Sequence, residues 1–402
     1  MRITIAALAA SLATFSGAPI AAQTAETREP NAPNQRPAFA GQTRAPLPDG
    51  PIAVATATVA EGIQGGWAFE FMPDGRMIVT EKAGRLRIVG RNGRPGGPVA
   101  GVPAVDSRGQ GGLLDVALSP RFAEDRLVYL SFTEPRQGGG NGTSVARGRL
   151  VEEGAQPRLE KLEVIFRQVP AWDNNMHFGS RLVFAPDGKL FVTVGERSDR
   201  EPRVQAQSLS SGLGKVFRIN PDGSVPPDNP FVGREGAQGA IWSFGHRNVQ
   251  AATLDGAGRL WIVEHGPRGG DELNRPEAGK NYGWPEVTYG LEYSGQSVGG
   301  GVTQRDGTEQ PVYYWDPVIA PSGMASYEGD LFLGWRGALL VGGLVSQGIV
   351  VLRMAGDRVA SEERIPLGAR IRDVRVGPDG AVYAMTETRG GGASRILRLS
   401  PK

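Results

Sequence analysis

The stretch LVFAPDGKLFVTVGE, residues 182–196, decides the fold. It reads as one β-hairpin. A short apolar strand meets Pro-Asp-Gly, and a second strand, Lys189 to Val194, alternates side by side. Pro presets φ for the first turn position, Asp bonds the backbone just beyond it, and Gly accepts the positive φ that closes the turn. Alternation at period two is the signature of a strand.

The phrase recurs along the chain. FEFMPDGRMIVTE occupies 69–81, ATLDGAGRLWIVEHG 252–266 and VRVGPDGAVYAMTE 374–387, with VALSPRFAEDRLVYLSF, 116–132, as a longer variant. Hairpins repeated at intervals of several tens of residues predict a β-propeller of four-stranded antiparallel blades. Residues 51–402 accommodate six or seven blades. Six is favoured because stretches such as 134–148 and 285–310 read as long loops. A pair of β-sandwiches is the alternative, and the recurring turn argues against it. Neither heptads nor a long amphipathic helix is present.

The flanking sequence and composition narrow the setting. MRITIAALAASLATFSGAPIAAQ opens with Arg2, continues in an apolar run from Ile3 to Phe15, and offers Ala22 as the last residue before cleavage. That pattern predicts a signal peptide over 1–22, and export to the periplasm or medium of a bacterium. No later segment has the roughly 20 apolar residues of a membrane span. Residues 23–50 are rich in Pro, Asn, Gln and Thr, so they read as a flexible spacer before a propeller domain at 51–402. Lys plus Arg number 44 against 42 Asp plus Glu, a balance that argues against a general nucleic-acid binder. Cysteine is absent, and a core this large needs no disulfide framework.

Polar groups concentrate in few places. The chain has three histidines: His177 in AWDNNMHFGSRLVF, His246 in FGHRNVQ and His265 in VEHGPRGGDELN. Each is a candidate general base or a hydrogen-bonded structural group. GPRGGDELN, 266–274, combines Gly-rich main-chain oxygens with Asp271 and Glu272, the oxygen chemistry of a hard cation such as Ca²⁺. ARIRDV, 369–374, sets Arg370 and Arg372 on one face of a strand, where an anion would relieve their repulsion. GQGGLLDVALSP sets Gln110 among glycines, and no phosphate-loop pattern is present.

Taken in order, QGGLLDVALSP, HFGSRLVFAPDGKLFVTVGE, LGKVFRINPDGSVPPDNPF, FGHRNVQ, EHGPRGGDELNRPEAGKNYGWPEV and ARIRDVRVGPDG resemble the soluble pyrroloquinoline quinone (PQQ) dependent sugar dehydrogenases, in particular the aldose sugar dehydrogenase branch. The resemblance runs from about residue 51 to the end, and that family's fold is a six-bladed propeller.

The resemblance implies roles. His177 matches the base that takes the sugar C1 hydroxyl proton while hydride passes to the quinone, and Glu196 matches the acid that orients it, often Asp in the glucose enzymes. Arg247 and Asn248 match residues beside the quinone oxygens, and Arg247 also acts in catalysis by stabilising developing negative charge. Gln110 is a further cofactor contact. Arg370 and Arg372 grip PQQ and its carboxylates, and Thr386 and Glu387 close the same rim. The main-chain oxygens of Gly266 and Pro267 hold a Ca²⁺ that polarises the quinone carbonyl. Glu272 and Tyr282 hold a second, structural Ca²⁺. The implied partners are an aldose and an external electron acceptor, with the chain as a monomer or a homodimer.

Two departures stand out. Residues 339–353 lack the lysine that glucose enzymes place on PQQ, and the loop 285–310 is short for that branch, so sugar preference does not transfer. Two other readings stay open: a Ca²⁺-dependent propeller lactonase, and a non-catalytic propeller that binds carbohydrate or protein.

Overall fold

The computed structural model describes residues 23–402; the expected signal peptide at 1–22 lies outside the described residues. Six four-stranded antiparallel sheets form the ring. Their innermost strands are Gly66–Phe71, Leu113–Leu118, Leu182–Phe184, Val249–Leu254, Pro321–Tyr327 and Arg370–Val376, one for each of blades 1 to 6. Neighbouring inner strands touch all the way round, from blade 1 to blade 2 and on to blade 6 and back. The fold is therefore the six-bladed propeller that the repeated hairpin predicts.

The deciding phrase forms as its chemistry requires. Leu182, Val183 and Phe184 pair with Val192, Phe191 and Leu190. Between them Gly188 N–H donates to Ala185 O (2.9 Å), Asp187 Oδ1 accepts Lys189 N–H (3.0 Å), and Gly188 takes φ +78°. Apolar faces of adjacent blades then close on each other. Ile78 and Leu86 of blade 1, for example, pack in one buried cluster with Val116, Leu130 and Phe132 of blade 2. Each such side chain contributes about 1.5–3 kcal/mol by leaving water.

The ring closes on itself. Val54–Gln64 is the outer strand of blade 6 and pairs antiparallel with the C-terminal strand Ala393–Pro401, Val54 opposite Pro401. The central channel is plugged by charge. Arg181, 2% exposed, lies against Asp115 of blade 2 (3.1 Å) and Asp373 of blade 6 (2.9 Å, an ion pair off the line of a hydrogen bond). It also donates to Gln250 O of blade 4 (2.7 Å) and Arg372 O of blade 6 (3.2 Å), and stacks over Trp67 of blade 1. One side chain thus ties its own blade to four others.

Two expectations are corrected. Residues 23–50 are not a free spacer but a strap laid along the outer edges of blades 4 and 5. Tyr314 N–H donates to Gln42 O (2.9 Å), Gln42 Nε2 to Pro311 O (2.9 Å), Ala45 N–H to the Tyr313 hydroxyl (2.8 Å) and Glu362 N–H to Pro46 O (3.0 Å). Ala45 is buried in the core shared by those blades. Asn31 Nδ2 donates to Asp316 (2.6 Å), and Asn31 Oδ1 accepts from Arg268 Nε (3.0 Å). Edges of two sheets supply bonds beyond those the strap makes internally, such as Leu47 N–H to Gln23 O (2.8 Å). Residues 134–148 are likewise not a loop: Leu127–Pro135 and Asn141–Val151 pair through a tight turn. The stretch 285–310 does run mostly without strands. Among the described residues no helix is long and apolar enough to cross a membrane.

Candidate active site

The mouth of interest lies where inner strands begin and second strands end. Its cavity has a volume of about 280 Å³ and is lined by Gln110, His177, Arg247, Asn248, Arg370 and Arg372 among others. The Pro-Asp-Gly turns sit at the opposite ends of those strands.

FGHRNVQ is the crossover from the outer strand of blade 3, Ile241–Phe244, to the inner strand of blade 4. Each of its polar residues has a distinct task. His246 is fully buried, with Nε2 on the Ser243 hydroxyl (2.8 Å), Nδ1 on Glu264 (2.9 Å) and its ring stacked on Tyr282. It is a structural histidine. Trp242 packs against Phe191. Arg247 and Asn248 face the cavity.

His177 carries the chemistry. Its Nδ1 is 2.7 Å from Glu196 Oε2, which also accepts Ser198 N–H (3.0 Å). With Nδ1 held by a carboxylate, Nε2 is the nitrogen left to act as base. Burial pushes the imidazole below its ordinary range, Glu196 pulls it back up, and Arg247 opposes that. Burial works to raise Glu196, but His177 and Arg247 outweigh it and hold the carboxyl low, hence charged. His177 itself sits at φ +51°, a backbone conformation rare outside glycine. The opposing chain comes so close that a Cβ at Gly195 would meet His177 O at 2.2 Å. Only glycine permits that approach.

Two amides brace this loop. Gln110 Oε1 accepts His177 N–H (2.9 Å), and Asn248 Oδ1 accepts Gly179 N–H (3.0 Å). Both oxygens are thereby committed, and both NH₂ groups remain as donors at a mouth that both residues line. Arg247 Nη1 donates to His265 O (3.1 Å) and Gly266 O (3.0 Å) and lies over the Trp284 ring. Its Nε is buried without a partner, as is Nε of Arg370. Arg372 bonds Glu387 Oε2 at 2.6 and 3.0 Å and Gln250 Oε1 at 3.0 Å, and Arg370 lies at 3.5 Å from the same carboxylate. Around the cavity stand Lys82, Arg247, Arg370, Arg372 and Arg389, against Glu387 alone among the lining acids. Such an excess of cations with orphaned donors fits a polyanionic planar ligand.

The GPRGG loop is rigid and rich in oxygen. Asp271 accepts backbone N–H from Gly266, Ile319 and Ala320, each at 2.8 Å. A Cβ at Gly266 would meet the Gly269 and Gly270 carbonyl oxygens at 2.2 and 2.4 Å. Main-chain oxygens crowded in this way, Gly266 and Pro267 among their neighbours, fit a hard cation. Glu272 is buried beside Glu264, and desolvation together with that like charge drives its carboxyl well up. Asn274 bridges the two at 3.1 and 3.4 Å, and both acids line a small cavity beside Trp284. A cation would relieve them. Tyr282 does not bring its hydroxyl there: the phenol donates to Arg275 O (2.7 Å) and accepts Glu277 N–H (3.0 Å), which leaves its main-chain carbonyl for a metal. Among the described residues no three His, Cys, Asp or Glu side chains cluster as a metal site, so any cation would draw part of its ligands from main-chain oxygens.

Thr386 also departs from expectation. Its hydroxyl accepts Arg395 N–H (2.9 Å) inside blade 6, and Thr388 takes the lining position instead. Several lining residues lie beyond the expected set: Trp67, Lys82, Gln250, His265 and Tyr293, the last 73% exposed. His265 Nε2 meets Gln250 Oε1 at 3.2 Å, and burial holds its imidazole well below the ordinary range, so it stays neutral.

Fold and site together define a six-bladed propeller with a carboxylate-held histidine at a cation-rich mouth. The Glucose / Sorbosone dehydrogenase family model matches residues 63–398, and the chain belongs to that family. It is 41% identical over 357 residues to the aldose sugar dehydrogenase of Escherichia coli, spanning 88% of this chain and 94% of that protein. The crystal structure of the soluble E. coli aldose sugar dehydrogenase in its apo form superposes with a TM-score of 0.83 at 40% identity, covering 87% of this chain and all of that one (100%). The PQQ-bound form of the aldose sugar dehydrogenase of Streptomyces coelicolor is similar at a TM-score of 0.72 and 29% identity, over 88% of this chain and 99% of that one.

Proposed function

We propose that this chain is a PQQ-dependent aldose dehydrogenase that oxidises the C1 hydroxyl of a sugar to the lactone. The carrying observation is the buried His177–Glu196 pair opening on a cavity lined by five cationic side chains and one acid. The PQQ-bound state of a relative of similar fold supports the cofactor.

PQQ, when bound, accepts the hydride of C1 and thereby two electrons. The chain supplies the remainder. Nε2 of His177 takes the C1 hydroxyl proton, for which its depressed pKa keeps it unprotonated near neutrality. Glu196 then steadies the imidazolium that forms, by charge and by fixing Nδ1–H. Arg247 presents positive charge where negative charge develops, with the NH₂ groups of Asn248 and Gln110 as donors beside it. Arg370 and Arg372 bind cofactor carboxylates, sharing themselves with Glu387. The Gly266 and Pro267 carbonyls would hold a Ca²⁺, which supplies Lewis acidity at the quinone; Glu272 and the Tyr282 carbonyl would hold a structural one. Electrons leave to an external acceptor, and the site of action is the periplasm or the medium.

The test is to add PQQ with Ca²⁺ to cofactor-free protein and follow dye reduction with glucose and other aldoses. Turnover should need both additions. His177→Ala should lose about 10²- to 10⁴-fold in kcat, the usual worth of a positioned base. Dye reduction independent of PQQ, or an undiminished H177A enzyme, refutes the assignment. A lactonase would need neither PQQ nor the two arginines.

A further inference from the structure

Lys82 has no acid. It follows Glu81 at the mouth end of the second strand of blade 1, and its ammonium donates to the Gly109 carbonyl, in the loop that also carries Gln110. Its carboxylate neighbour Glu387 is already taken by Arg372 and Arg370. Burial and the nearby Arg372 guanidinium both push the ammonium below its usual range, and Glu387 only partly restores it. A further anion would stabilise a half-buried cation that stands beside other cations. The stretch 339–353 adds no lysine to the mouth: Leu344 lines the cavity there, and its carbonyl is used by Arg370 Nη1 (3.1 Å).

We propose that Lys82 is a cofactor-binding residue of this chain, whose ammonium pairs with a carboxylate of PQQ and completes a three-cation grip with Arg370 and Arg372. The inference rests on the quinoprotein reading above and extends it to a residue on blade 1. PQQ is a tricarboxylate, and one acid among the lining groups leaves charge for it to neutralise. Gly109 O orients the ammonium between the Gln110 loop and blade 6 before the ligand arrives, so the grip is preformed. Arg247, on the other side of the mouth, is spent on the His265 and Gly266 carbonyls and does not compete for the same anion.

The experiment measures PQQ binding to cofactor-free protein in the presence of Ca²⁺. Two readouts serve: quenching of tryptophan fluorescence, with Trp67 in the cavity wall, and titration calorimetry. Lys82→Met and Lys82→Gln should each bind PQQ about 10- to 100-fold more weakly, the worth of one hydrogen bond to a charged group. Lys82→Arg should recover to within a few fold. Melting temperatures of all three should stay at the parent value, because the ammonium has one carbonyl partner and no ion pair to lose. With the trimethyl ester of PQQ, which has no carboxylate charge, the parent and K82M proteins should bind equally. K82M binding PQQ within twofold of the parent overturns the inference, as does an equal loss with the ester. Failure of the parent itself to bind PQQ is a separate result: it removes the quinoprotein reading and this inference with it.

Discussion

Replacing Arg181 by Met tests whether the channel charges brace the ring. The methionine keeps most of the aliphatic bulk and removes the guanidinium. Asp115 and Asp373 then remain buried without their shared cation, although Arg375 still lies 3.4 Å from Asp115 and 3.6 Å from Asp373. Breaking a buried pair by deleting one partner costs about 3–5 kcal/mol, far more than the pair is worth against an apolar replacement of both ends. A chain of about 380 described residues unfolds with an entropy of about 0.8 kcal/mol/K, so the melting temperature should fall by about 4–6 °C. The loss should depend on pH. Burial already raises the Asp115 carboxyl above its ordinary range, with Arg181 and Arg375 pulling it down. Without Arg181 the folded-state value rises further above the unfolded one. Stability of the variant therefore returns as pH falls through that raised value toward the unfolded one, by up to about 1.4 kcal/mol per pH unit. The assay is thermal unfolding by circular dichroism at pH 7.5 and pH 5, with guanidinium unfolding as a check. A variant within 1 °C of the parent at pH 7.5, or a gap equally wide at both pH values, refutes the bracing argument.

Three further outcomes are expected. Asp271→Asn leaves Gly266 N–H facing an NH₂ or strips two amides of their acceptor, so it should destabilise by about 2–4 kcal/mol in guanidinium titration and weaken Ca²⁺-dependent reconstitution. Glu196→Gln removes the charge that raises the His177 pKa; the acid limb of kcat/KM should move to lower pH while the plateau drops, and a limb moving upward would contradict the pairing. Deleting residues 23–46 removes the six strap hydrogen bonds described above, about 1 kcal/mol each, and should lower the melting temperature by about 7 °C, which calorimetry would register.

The repeat was legible because turn chemistry is local. Pro-Asp-Gly specifies a hairpin whatever surrounds it, so blades 1, 3 and 6 announce themselves. Blade 5 does not: its first two strands, Pro321–Tyr327 and Ala338–Gly343, are joined by the ten-residue segment EGDLFLGWRG rather than the repeated turn. The same turns point to the face away from the cavity, so the loudest signal and the chemistry lie at opposite ends of each strand. The site speaks through the residues that end each phrase. Glu81, Glu264 and Glu387 close the second strands of blades 1, 4 and 6, Glu196 stands two residues past that of blade 3, and the position after each acid holds Lys82, His265, Thr388 and Arg197 respectively. The strap was illegible for the opposite reason. Its polar composition resembles a linker, and the edges that hold it lie some 270 to 320 residues away in the sequence, at Pro311 to Tyr314 and at Glu362. Tyr282 and Thr386 stand close in the chain to residues of the site, but which way a hydroxyl turns depends on partners such as Arg275 O and Arg395 N–H that no pattern announces.

The pairing of Val54–Gln64 with Ala393–Pro401 sets an order of assembly. A chain made from its N-terminus carries its first strand for more than 300 residues before the partner of that strand exists. Until then blade 6 lacks its third strand, and Arg370, Arg372, Glu387 and Arg389 have no finished sheet to stand on. A nonsense truncation that removes as little as the last ten residues would leave the clasp open and the anion grip half built. Ligand capture by this mouth thus reports that the chain was made through Pro401.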